Sequence, residues 1–166
     1  LMTTPAQALI PALLLAGFTL GVAIGGVVAT LAGMWRKPAV LALVTLLLVF
    51  AASCHATGRH ALATAAMVVA MGAVNNTFQR NGEIAVGLTY MTGALVRLGQ
   101  GLAALVLRQK RGGWLPHLLL WSGLFAGAVA GAFAFTRIGG IALWLASAIA
   151  AGLALFALRL ARRESA

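Results

Sequence analysis

Runs of about 20 apolar residues recur along the whole chain. As helices rising about 1.5 Å per residue, each is long enough to cross a hydrocarbon layer about 30 Å thick. Backbone polar groups in lipid must be satisfied internally, and the runs lack the alternation of barrel strands, so the spans read as helices. Composition agrees: 62% of the 166 residues are hydrophobic and 8% charged, against roughly 45–50% and about 25% in soluble domains. The fold class is an all-α integral membrane protein, a single polytopic domain over residues 1–166, embedded in a lipid bilayer.

Six segments are expected: 7–33, 38–57, 60–78, 84–107, 114–135 and 138–158. Trp35-Arg36-Lys37-Pro38, Gly58-Arg59, Arg108 to Arg111, and Arg137 to Gly140 punctuate them with interfacial aromatics, cations and breakers. The first segment has no positive region before it and is too long for a signal-peptide core, so it reads as a retained span.

The net charge of +10 raises nucleic acid as a partner, but the twelve cations sit singly or in short groups at the ends of apolar runs. That placement anchors and orients helices, so no nucleic-acid role is assigned. Cys54 is the one cysteine, which excludes an intrachain disulfide, and His55 and His60 flank one loop as interfacial polarity. No metal or cofactor is expected. No paired carboxylates, Ser/His/Asp set or phosphate-cradling Gly-Lys motif occurs, so an enzyme is not expected.

The sequence also repeats. Pro11, Leu13 to Leu15, Gly17, Gly21 and Gly25 match Pro116, Leu118 to Leu120, Gly123, Gly127 and Gly131, with one residue inserted in the second copy. Glycine at every fourth position smooths one helix face for close packing, so these six glycines are packing candidates, within the chain or in a homo-oligomer.

Two topologies compete for the fourth segment. If all six cross, Arg36, Lys37, Arg80 and Arg137 share one face, and seven cations (Arg59, Arg108, Lys110, Arg111, Arg159, Arg162, Arg163) share the other. If segment 84–107 is broken or re-entrant and returns, Arg59 and Arg137 alone oppose the remaining nine, a stronger bias, and the repeats become inverted.

Polar chemistry gathers between residues 75 and 97. Asn75 and Asn76 close the third segment, either bonding across helices or binding a ligand. Thr89, Tyr90, Thr92 and Gly93 follow, the two threonines on one helix face. Arg97 would sit about 15 Å from the nearer end of a continuous helix, beyond full snorkelling reach, and needs a partner, a polar cavity or a bound anion. Glu83 is the only acid before Glu164. It is thus the one candidate for proton or cation coupling, although its place after Asn81-Gly82 suits a turn or helix start.

The motif MGAVNNTFQRNGEIAVGLTYMTGALVRLGQGLA resembles the YoaK-like family of uncharacterised bacterial membrane proteins. Met71, Gly72 and Asn75 match its MG-x-x-N element, and Thr89, Thr92, Gly93, Leu95 and Leu98 its T-x-x-TG-x-L-x-x-L element. The resemblance covers nearly the whole chain and implies a multi-pass bacterial inner-membrane protein without an established substrate. It also implies a further N-terminal glycine-rich helix pair, which this sequence lacks. Two functions follow as expectations. One is a secondary transporter or carrier of a small solute, an anion being one option, with its site lined by Asn75, Asn76, Thr89, Tyr90, Thr92, Gly93 and Arg97. The other is a structural or accessory protein packing through its glycine faces.

Overall fold

The computed structural model describes residues 5–80, 83–84, 91–107 and 115–164. The element order is α1 (Pro5–Ala32), a 3-10 turn (Gly33–Trp35), α2 (Arg36–Ala56), α3 (His60–Ala73), a second 3-10 turn (Val74–Phe78), strands β1 (Gln79–Arg80) and β2 (Glu83–Ile84), then α4 (Met91–Val106), α5 (Leu115–Ile138) and α6 (Ile141–Glu164). Among the described residues the fold is all-α apart from one ladder of two residues per strand, antiparallel with Gln79 opposite Ile84.

Among the described residues, three stretches are long and apolar enough to cross a membrane: Leu9–Ala56, Leu118–Ile138 and Ile141–Arg163. The first is folded on itself at Gly33, whose φ of 53° breaks it into α1 and α2. Gly58 and Gly139 likewise hold positive φ, 75° and 56°, at the next tight turns. At the end of α2 the Arg59 N–H donates to the Cys54 carbonyl at 2.8 Å and the Gly58 N–H to the His55 carbonyl at 3.1 Å. This is a Schellman closure, in which a left-handed residue satisfies carbonyls that helix ends leave open.

The packing is inside-out relative to a soluble protein. The buried apolar residues are mostly alanines, Ala29, Ala51, Ala52, Ala63, Ala66, Ala70 and Ala73 among them, while Leu13, Leu15, Phe50, Ile149 and Phe156 are exposed. Lipid solvates large apolar side chains as well as a core does, so helices associate through small residues that admit close approach. Gly21 and Gly72 show it directly. A methyl on Gly21 would overlap the Val69 carbonyl, and one on Gly72 the Phe18 carbonyl. A methyl on Gly25 would lie 2.7 Å from the Ala73 carbonyl oxygen. The contacts advance together along both helices, so α1 and α3 run parallel. Helix α2 joins them through tight turns and is antiparallel to both, with Val44 packed beside Ala70 and Ala73.

Helix α6 packs on α2 in the opposite direction. Gly140, the residue before its start, lies against the His55 ring at the end of α2. Its later residues Leu153 to Ala161 lie beside Gly33 to Leu41 at the start of α2. The turn between α1 and α2 and the turn between α5 and α6 therefore sit at opposite ends of the bundle. Where α2 and α6 both span, the chain between residues 57 and 140 crosses an even number of times. Under that condition the six segments do not all cross.

Several expected boundaries shift. Segment 84–107 is not one helix: Ile84 belongs to β2 and the helix covers 91–106, because Asn81-Gly82 is a hairpin signal and the flanking residues pair as strands. Glu83 accordingly stands in a strand rather than at a helix start. Helix α5 runs through Arg137 to Ile138, past the expected break at 135, and α6 begins at Ile141. Within the expected Arg137 to Gly140 punctuation, the break falls at Gly139.

Candidate functional site

Asn75 and Asn76 are both buried, at 3% and 2% exposure. Asn75 Nδ2 donates to the Met71 carbonyl at 2.9 Å, capping the end of α3. Asn76 Nδ2 donates across the helix interface to the Val22 carbonyl of α1 at 2.9 Å. Between the two functions open to the pair, the amide nitrogens serve helix cohesion. Gly25 and Gly26 make room for this: a methyl on Gly25 would lie 2.7 Å from Asn76 Nδ2. Glycine opposite asparagine lets a buried amide reach a backbone carbonyl of the neighbouring helix, which satisfies a group that would otherwise cost free energy in an apolar interior.

The rest of the expected site is brought together only in part. Thr89 and Tyr90 lie outside the described residues, as do the side chains of Glu83, Thr92 and Arg97. Gly93 falls in the first turn of α4 and is half-buried. Among the packing candidates, Gly17, Gly21 and Gly25 all face α3, with Gly17 in ordinary contact with Val68 at 3.4 Å. Gly123, Gly127 and Gly131 have nothing within contact range of an added methyl among the described residues. Among the described residues, the second glycine face of the sequence repeat therefore meets no neighbour where the first is filled.

A concave site that sequence reasoning missed lies one residue beyond the asparagines. A cavity of about 740 Å³ opens between the start of α2 and the end of α6, with Arg36, Lys37 and Thr77 as its polar lining and Leu41, Leu153 and Phe156 among its apolar walls. Thr77 is 4% exposed and its hydroxyl has no hydrogen-bond partner among the described residues. Arg36 is half-buried and Lys37 exposed. The volume lies within the roughly 300–1,000 Å³ typical of ligand sites, and few polar groups over an apolar wall is their usual make-up. The sequence signal was present: two cations after Trp35, at a helix start where the backbone dipole adds positive potential. What the sequence did not show is that α6 folds back beside them.

At the opposite end, His55 and His60 meet, with Nδ1 atoms 3.2 Å apart and the His55 ring edge-on to Phe135. Among the described residues no group of three or more His, Cys, Asp or Glu is placed to hold a metal ion. The pair ties the α2–α3 turn to the end of α5.

The sequence profile of one family, described as "Protein of unknown function (DUF1275)", matches residues 1–156. The chain belongs to the DUF1275 family. A UPF0700 transmembrane protein of Rhizobium meliloti (strain 1021) is 37% identical over 129 residues, covering 78% of this chain and 56% of that protein. This DUF1275 member thus spans little more than half the length of the curated relative it matches. No solved structure matches it. Family and relative agree with the resemblance in placing the chain among uncharacterised membrane proteins, and neither carries the YoaK-like name.

Proposed function

We propose that this DUF1275 protein is a carrier of a small anionic solute in the bacterial inner membrane, and that the solute enters at the cavity between α2 and α6. The observation that carries the reading is the buried, unpartnered Thr77 hydroxyl in a cavity flanked by Arg36 and Lys37. An unpaired buried hydroxyl costs about 1–3 kcal/mol, and the cavity is where a ligand oxygen could offset that cost. The chain carries twelve cations against two acids, so the charge that complements Arg36 and Lys37 comes chiefly from outside it.

The antiparallel α2 and α6 support the topology such a carrier requires. Helix α3 with its 3-10 extension is about 31 Å long and α5 about 36 Å, while α4 is about 24 Å, short of a hydrocarbon core about 30 Å thick. Assigning crossings to α1, α2, α3, α5 and α6 satisfies the even count between 57 and 140, with α4 dipping in and returning. The α1–α2 and α5–α6 hairpins are then inverted copies, and nine cations face the cytoplasm. Inverted repeats about an interrupted segment are a transporter architecture. Thr92, Gly93 and Arg97 of α4, with Thr89 and Tyr90 before it, remain the candidates for the inner part of the path, and Glu83 for coupling.

The test is counterflow of labelled acetate, succinate and octanoate into proteoliposomes. Uptake above protein-free vesicles, lost in Arg36→Gln/Lys37→Gln, supports the carrier. Uptake of none of the three, with no thermal shift on adding any, refutes it. The open Gly123, Gly127 and Gly131 face favours a second reading, an accessory protein whose α5 packs on a partner helix or a second copy. There, Gly127→Leu would dissociate an assembly seen by light scattering and leave monomer stability unchanged.

A further inference from the structure

The chemistry of the cavity names the ligand more narrowly than its charge does. Its polar groups are all at one end. Arg36 and Lys37 begin α2 beside Trp35, the aromatic–cation set that marks the headgroup level of a bilayer. Thr77 approaches the same end from the 3-10 turn after α3. The remaining walls are apolar: Leu41 from α2 and Leu153 and Phe156 from α6. Leu153 lies two helical turns nearer the start of α6 than Leu160, which also borders the cavity, so the apolar part reaches inward from the cationic end. Leu153 and Phe156 are 52% and 61% exposed, leaving the groove open sideways to the lipid. A short hydrophilic anion such as acetate would satisfy the cations and leave this inner wall unfilled.

Resting on the reading of this cavity as the binding site, we propose that its ligand is an amphiphilic anion, a carboxylate or phosphate headgroup on an alkyl chain. The headgroup lies between Arg36 and Lys37 and accepts the Thr77 hydrogen bond, and the chain runs inward along α2 and α6. Entry is lateral, from the leaflet on the cationic side. Two sources share this chemistry, a free fatty acid and an anionic phospholipid.

The experiment uses the full chain in phosphatidylcholine nanodiscs with Trp114→Phe, Trp121→Phe and Trp144→Phe, leaving Trp35 as the reporter. Quenching of Trp35 is measured with dibromostearate, with brominated phosphatidylglycerol and with brominated phosphatidylcholine, and acetate and inorganic phosphate are added as headgroup-only competitors. Expected is quenching by at least one anionic amphiphile at about tenfold lower mole fraction than by phosphatidylcholine. Arg36→Gln/Lys37→Gln should abolish that preference, and Thr77→Val should weaken it about twofold to tenfold, as loss of one hydrogen bond implies. Dibromostearate acting alone identifies a free amphiphile; phosphatidylglycerol acting identifies the lipid; either result supports the proposal. Equal quenching by phosphatidylcholine overturns it. Displacement of the brominated ligand by millimolar acetate or phosphate overturns the amphiphile and leaves the small-anion carrier standing. Quenching that the charge-removing variant does not alter, at unchanged thermal stability, overturns both.

Discussion

Gly21→Ala measures how tightly α1 and α3 are held together. The added methyl would overlap the Val69 carbonyl oxygen and sit 2.9 Å from the Val69 carbonyl carbon and Cα. Those atoms are backbone within a helix, so no side-chain rotation relieves the contact, and the two helices must separate by on the order of 1 Å. A gap of that size forfeits about a quarter to a half of the dispersion attraction of each atom pair across it. Overpacking of this kind costs about 1–3 kcal/mol. One residue further along, the Asn76 bond to the Val22 carbonyl, now 2.9 Å, would stretch beyond hydrogen-bonding range, adding about 0.5–1.5 kcal/mol. The expected loss is about 2–4 kcal/mol. Gly127→Ala is the control, because nothing described meets its methyl; replacing a helical glycine there stabilises by at most about 1 kcal/mol. Cys54 of α2 is buried at 6% exposure, so its labelling by a thiol-reactive dye during detergent denaturation reports opening of the bundle. Opening of the two variants at the same denaturant concentration would refute the packing assigned to the first glycine face.

Three further outcomes are expected. Gly58→Ala places a side chain at φ 75° and should lower stability by about 1–2 kcal/mol, whereas Gly99→Ala, which carries no positive φ and meets nothing in the space a methyl would occupy, should not; equal melting temperatures would contradict the turn assignment. Asn76→Ala should destabilise by about 1 kcal/mol through loss of the interhelical bond, and pairing it with Gly21→Ala should give less than the sum of the two, because both act on one interface. Strict additivity in that cycle would separate the asparagine from the glycine face. Thr77→Val should leave stability unchanged or raise it, since it removes an unsatisfied buried hydroxyl; a marked loss would show a partner for that hydroxyl.

Much of the fold was legible because hydrophobic run length and breakers are local properties. Trp35 to Pro38, Gly58 and Gly139 mark turns through side-chain charge or left-handed backbone, and each is visible in the sequence. The glycine period foretold a packing face on α1, and Gly72, quoted only as part of a family motif, proved to be its counterpart on α3. Where reasoning fell short, the cause was non-local. Asn76 reads equally as glue or ligand contact until Val22 is found 54 positions away. The cavity requires α6 to lie antiparallel beside α2, which no window of sequence contains. Nor does the repeat alone say which partner each face meets: among the described residues, identical glycine spacing on α1 and α5 meets a helix in one case and no neighbour in the other. For the 84–107 run a continuous and a broken reading both stood, because its apolar content hides that Ile84 belongs to a strand and Met91 to a helix.

The central claim is that the chain returns to one face between α3 and α5, putting the two loops rich in cations on the same side. It is tested most directly by single-cysteine labelling of Lys37→Cys and Lys110→Cys, each in a Cys54→Ser background, in intact cells and in inverted vesicles. Both positions are expected to label from the cytoplasmic side. Labelling from opposite sides would contradict it, since α4 would then cross, and the antiparallel pairing of α2 with α6 could not hold with all six segments spanning.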